Sequence, residues 1–136
     1  MSRSGYIDDL DTLELGRWRG VVASTIRGKR GQGLLREMLT ALDNLPEPKL
    51  IKDALECDGQ VCALGAVGRA RGLDMSGLDP EDCEALAGAF GISEPLAREV
   101  MYLNDEAGWN DPPTERFKRM RAWVEQHIAK PRQECT

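Results

Sequence analysis

Apolar residues recur at spacings of three and four through most of this chain, a period that belongs to helices packed against one another. Leu15, Trp18, Val22 and Ile26 place a first helix over about residues 10–27. Leu35, Met38, Leu42 and Leu45 line one face of a second, which ends before Pro46 and Pro48. Cys62 to Gly68 reads as a helix of small residues that stops near Gly72. Asp79-Pro80-Glu81-Asp82 offers an N-cap, a proline at the first helical position and first-turn acids for a helix carrying Leu86, Ala87 and Phe90 and ending at Gly91. Ser93 caps the next, with Leu96, Val100 and Leu103 inward, and Thr114 caps a last helix bearing Phe117, Met120, Val124 and Ile128.

Two stretches break the pattern. Residues 28–33, Gly28-Lys29-Arg30-Gly31-Gln32-Gly33, read as the turn of a helical hairpin. Residues 49–61 contain Asp58-Gly59, a strong two-residue hairpin signal. There, residues 50–56 could pair with 60–63, or the same residues could form a short helix ending at Gly59; the hairpin is the favoured reading. The expected fold is mainly α, a single-domain bundle of about five to six helices with room for one short β-hairpin. It spans residues 1–130, and residues 131–136 form a frayed tail.

A chain of 136 residues with 41% hydrophobic and 30% charged residues can build one core without metal or disulfide. Only 5% is aromatic, so Leu, Val, Ile, Ala and Met must fill that core. No apolar run approaches the roughly 20 residues a bilayer span requires, so no membrane partner is expected. The N-terminus leads into Asp8, Asp9 and Asp11 rather than an apolar signal segment, and a cytoplasmic location is expected.

Little in the sequence points to catalysis. Cys57, Cys62, Cys83 and Cys135 are expected to be reduced, metal-free and buried as small apolar side chains. With His127 as the single histidine and no second close cysteine pair, a four-ligand zinc set is poorly supplied. Cys57 or Cys62 would form a nucleophile pair with His127 only if the fold joined them. No nucleophile, base or cofactor motif stands out, and the expectation is a non-enzyme with no catalytic residues, metal or cofactor.

The charge is unevenly placed. Residues 74–115 hold eleven acids against the single base Arg98, a net −10; with −5 for the chain, the remainder carries +5. The inward apolar positions of these helices suggest that most of the acids point to water. An acidic face of this kind would steer toward a basic partner, and Glu94, Glu99, Asp105, Glu106, Trp109 and Asp111 are the expected binding surface. A solvated helix surface with acids at helix N-termini is the alternative.

Residues 86–100 resemble a helix-turn-helix, with small Ala87, turn Gly91, then Ile92 and Ser93, although Ala97 stands where a β-branched residue is usual. The second helix offers Glu94, Glu99 and Asp105 against Arg98, the wrong sign for phosphates, so nucleic acid ranks second as a partner. Arg27, Lys29 and Arg30 in the glycine-rich segment, with Arg17, Arg19 and Arg36 nearby, could form a small anion or nucleic-acid patch; a solvated interhelix turn is the favoured alternative.

Arg17-Trp18-Arg19-Gly20, residues 26–32, residues 61–66 and the segment from Asn104-Asp105-Glu106 to Trp123-Val124 are similar to a family of small proteins encoded by bacteriophages and prophages. The resemblance covers most of the chain and carries over no catalytic residues. It implies a phage accessory protein acting in the host cytoplasm. Such proteins commonly bind host proteins, including defence complexes such as CRISPR–Cas whose nucleic-acid grooves are rich in Lys and Arg, or regulate transcription. The expected function is therefore a non-enzymatic module that binds a basic host protein, with a helix-turn-helix DNA-binding regulator as the alternative.

Overall fold

The computed structural model describes residues 12–107 and 110–129. Six helices and one hairpin follow in order among them: α1 (Thr12–Arg27), α2 (Lys29–Asp43), β1 (Glu56–Cys57), β2 (Gln60–Val61), α3 (Ala63–Arg71), α4 (Cys83–Phe90), α5 (Glu94–Asp105) and α6 (Pro113–His127). The mainly helical bundle with one short antiparallel hairpin agrees with the pattern of the sequence. Residues 131–136 lie outside the described residues.

Local chemistry sets most element ends. In the hairpin Asp58 and Gly59 both have positive φ, 52° and 78°, as a two-residue turn of the twist-matched type requires. The ladder is shorter than expected, pairing Glu56 with Val61 and Cys57 with Gln60. Upstream, Leu50 N donates instead to Pro113 O on α6, while Ile51 N donates to Val61 O. The Cys62 thiol caps α3, its Sγ accepting from Gly65 N at 3.3 Å, and Gly72 closes that helix with φ 69°. Ser93 caps α5 as expected, accepting from Leu96 N at 3.2 Å.

Three boundaries differ from expectation. Only Gly28, in extended conformation, separates α1 from α2, so Gly31, Gln32 and Gly33 are helical. Asp82, not Asp79, caps α4 by accepting from Ala85 N, while the Asp79 carboxylate accepts from Glu81 N in a preceding turn. Pro112 occupies the N-cap position of α6 and Thr114 lies inside the helix. Proline at a helix start sacrifices no bonded N–H, so α6 starts there without a side-chain cap.

Helix α5 is the centre of the bundle, in contact with α1, α3, α4 and α6. Leu96, Ala97, Val100 and Met101 are buried on it, and Leu103 is half-buried against the same core. Leu35, Met38 and Leu42 of α2, Leu86 and Phe90 of α4, and Met120 and Val124 of α6 close around it. Trp18 and Trp123 cover the edges of this core.

Exposed ion pairs join the outer helices. Arg71 of α3 grips Glu37 of α2 with two bonds of 2.6 Å, and Arg121 of α6 grips Asp43. The hydrogen bonds from Arg71 hold the Glu37 carboxyl below its ordinary value. A depressed carboxyl stabilises the fold above its unfolded pKa, and that contribution is lost as pH falls through its folded pKa. The stability gap between the wild type and Glu37→Gln is therefore expected to be constant at neutral pH and to close as the pH falls below the ordinary glutamate value. Partial exposure limits the gap to roughly 1 kcal/mol or less. Urea titrations at several pH values measure it, and a gap that widens in acid would contradict this sign.

Candidate functional site

The expected acidic surface on α5 is not one surface. Glu99 and Asp105 are buried, at 1% and 3% exposure. An outward position on a surface helix would face water, but α1 packs across α5 and places Arg19 Nη1 2.5 Å from both Glu99 oxygens. Asp105 Oδ1 accepts from Asp53 N at 3.2 Å and from Asn104 Nδ2 at 2.8 Å. Glu94 is half-buried and bonded to Arg98, and Asp111 is half-buried and bonded to Arg119. Glu106 is half-buried, and Trp109 lies outside the described residues.

Asp105 belongs to a structural polar network. Asn104 Oδ1 accepts from Ala63 N at the start of α3, while its Nδ2 also donates to Ile51 O. Arg116, 3% exposed, donates from Nε to Asn104 O, from Nη1 to Leu50 O and from Nη2 to Asp111 O. Arg119 donates to Leu103 O and Asn104 O. Two guanidinium groups thus satisfy the carbonyls at the C-terminus of α5, where the helix dipole favours cations. Burial pushes the Arg116 guanidinium down from its ordinary value. The network ties the chain before the hairpin, α3, α5 and α6 together.

Gly91, at φ 68°, ends α4 at the corner with α5. Helix α5 offers this corner no fully exposed side chain, because α1, α3, α4 and α6 all contact it. Arg98, the lone cation there, stacks over the Trp18 ring at 5.3 Å while bonding Glu94.

The acids that do face water gather elsewhere. Residues 72–97 contain six acids and no base. Asp74, Asp79, Glu81, Asp82 and Glu84 are exposed on the approach to α4 and in its first turn. Burial is the main cause that pushes the Cys83 thiol up; Arg98 lowers it, and Glu94 and Asp82 raise it, so the starts of α4 and α5 lie together with Arg98 beside them. The acidic surface is thus displaced from the C-terminal half of α5 to the helix starts.

Arg27, Lys29 and Arg30 are exposed, but the glycine-rich segment is not an open phosphate cradle. A Cβ on Gly31 would sit 3.0 Å from Ile26 O, so the first turn of α2 is pressed on the terminal carbonyls of α1. Gln32, 8% exposed, clamps this end of the molecule: its Nε2 donates to Ile26 O and His127 O, and its Oε1 accepts from Ala129 N at 2.8 Å.

His127 is exposed beside a groove of about 590 Å³ between α1 and α6, whose lining includes Val22, Ile26 and Trp123 but no cysteine. Its Nδ1 hydrogen is donated to Trp123 O at 2.7 Å and its ring leans on Trp123. Cys62 and Cys83 are buried as expected, whereas Cys57 is exposed on β1 because that strand has no layer over it; Cys135 lies outside the described residues. Among the described residues no three His, Cys, Asp or Glu side chains are arranged to hold a metal ion, and no helix is long and apolar enough to cross a membrane. Comparison with protein-family models, curated proteins and solved structures gives no match.

Proposed function

We propose that the protein is a non-enzymatic binding module, of the kind phages use as accessory proteins, that docks an acidic surface on a basic host protein. One observation carries this reading: six acids and no base between residues 72 and 97, five of those acids exposed on one connection and helix start. Exposed carboxylates that outnumber the cations around them project a negative field that accelerates encounter with a positive surface. The binding residues are then Asp74, Asp79, Glu81, Asp82 and Glu84; Glu94 is paired with Arg98, and Glu99 and Asp105 serve the fold. A nucleic-acid-handling complex, with CRISPR–Cas as one class, presents the Lys- and Arg-rich surface such a module fits.

The test is capture from host lysate on immobilised protein, followed by association kinetics with the purified captured partner. Association is expected to slow markedly between about 0.15 and 0.5 M salt, as the Debye length shrinks from about 8 Å to a few Å. Glu81→Lys with Glu84→Lys should slow it at least tenfold through the on-rate, with stability changed by less than about 0.5 kcal/mol because both side chains are exposed. Association indifferent to salt and to this reversal would dismiss the acidic surface.

A further inference from the structure

Helices α1 and α2 carry a charge pattern of the opposite sign. Residues 17–36 contain six cations, Arg17, Arg19, Arg27, Lys29, Arg30 and Arg36, and no acid. Arg19 is taken up by Glu99. The other five are exposed, and among the described residues none of them forms an ion pair, although Arg69, Arg71, Arg98, Arg119 and Arg121 elsewhere all do. A run of cations with no acid between its ends raises the potential over the surface it lines and attracts anions.

The ground between the cations indicates which anion. Gly20, Ser24 and Gly28 are exposed beside Arg17 and Arg27, and Gly33 is exposed between Lys29 and Arg36; nothing stands within 4 Å over Gly20 or Gly33. Val21 is the one large apolar side chain exposed among the described residues, at 46%. A protein partner draws its affinity from aromatic and apolar anchors, and Val21 is the sole large apolar side chain this face exposes. A phosphodiester chain needs spaced cations and close approach, which it has. Arg17 and Arg27 stand ten residues apart on α1, about 15 Å along the axis. The Gln32 clamp and the bond from Arg36 Nη2 to Ala129 O bring α2 and the end of α6 to the corner where Arg27, Lys29 and Arg30 stand. We infer that the outer face of α1 and its corner with α2 bind the phosphodiester backbone of nucleic acid through Arg17, Arg27, Lys29, Arg30 and Arg36, without reading the bases. This goes beyond the acidic-surface reading and stands independently of it.

The experiment is fluorescence anisotropy of the full chain with a labelled duplex of about 20 base pairs, titrated between about 50 and 200 mM salt. Four to five neutralised phosphates give a slope of log K against log salt of about −4, or roughly 250-fold weaker binding at the higher salt. Arg27→Ala, Lys29→Ala and Arg30→Ala should each reduce the slope by about one, equally for unrelated sequences. Reversing all three to Glu should abolish binding, and Glu81→Lys with Glu84→Lys should leave the slope unchanged. Circular dichroism checks each variant's fold, and the single substitutions decide if the triple one unfolds. No binding at the lower salt, or binding indifferent to these residues, overturns the inference. Equal binding of polyglutamate at matched charge, with the same residue dependence, would overturn it in favour of an acidic protein partner.

Discussion

Replacing Arg116 by methionine is expected to cost about 3–4 kcal/mol of stability, because two buried carbonyls and one half-buried carbonyl lose a charged donor together. The side chain is 3% exposed and bonds Asn104 O, Leu50 O and Asp111 O at 3.0–3.2 Å. Methionine preserves the apolar stem, so packing changes little and the loss reports on the hydrogen bonds. Each buried carbonyl left unpaired costs about 1–3 kcal/mol, partly offset because a guanidinium no longer has to be desolvated. Asn104 O retains Arg119 Nη2 at 3.4 Å, which places the total below the simple sum. The midpoint of thermal unfolding should fall by roughly 10 °C. Arg116→Lys retains the charge but not the fork that reaches three acceptors, and about half the loss is expected. Denaturant titrations decide, and a methionine variant within 1 kcal/mol of wild type would show that the network is dispensable.

This network also marks where sequence reading stopped. The helices were legible because Leu35, Met38 and Leu42, or Phe117, Met120 and Val124, repeat at the helical period, and the hairpin because Asp-Gly suits a turn with two positive φ angles. The burial of Glu99 and Asp105 was not. The one-face rule treats α5 as a surface helix, whereas four helices surround it. The partner that makes Glu99 tolerable, Arg19, lies 80 residues away in the chain. The α1–α2 turn is shorter than its glycines imply for a related reason: Gly31 and Gly33 have poor helix propensity, yet close packing on α1 and the Gln32 clamp hold the segment helical. The charge segregation itself was visible from composition. Which acids reach the surface depends on long-range packing that no local window contains.

The same chemical change, glycine to alanine, is expected to act with opposite sign at two helical positions. Gly65 lies in the first turn of α3, buried against the hairpin. A Cβ there would stand 2.9 Å from the Leu55 carbonyl carbon and 3.2 Å from Val61 Cβ, and closer still to Leu55 O. The obstacle is backbone, and Leu55 O is already fixed as the acceptor for Cys62 N at 3.1 Å. Helix propensity would favour alanine by about 1 kcal/mol. Overpacking against a backbone that cannot step aside costs about 3 kcal/mol or more, so Gly65→Ala should lose roughly 2–3 kcal/mol net. At Gly33, exposed in α2, no atom lies within 4 Å of the added methyl group, and the propensity gain is unopposed. Gly33→Ala should therefore stabilise by about 0.5–1 kcal/mol and raise the unfolding midpoint by a few degrees. Parallel urea titrations read both variants. A neutral or stabilised Gly65→Ala would mean that α3 does not sit hard on the Leu55 carbonyl, and the packing of the hairpin on the bundle would have to be looser than described.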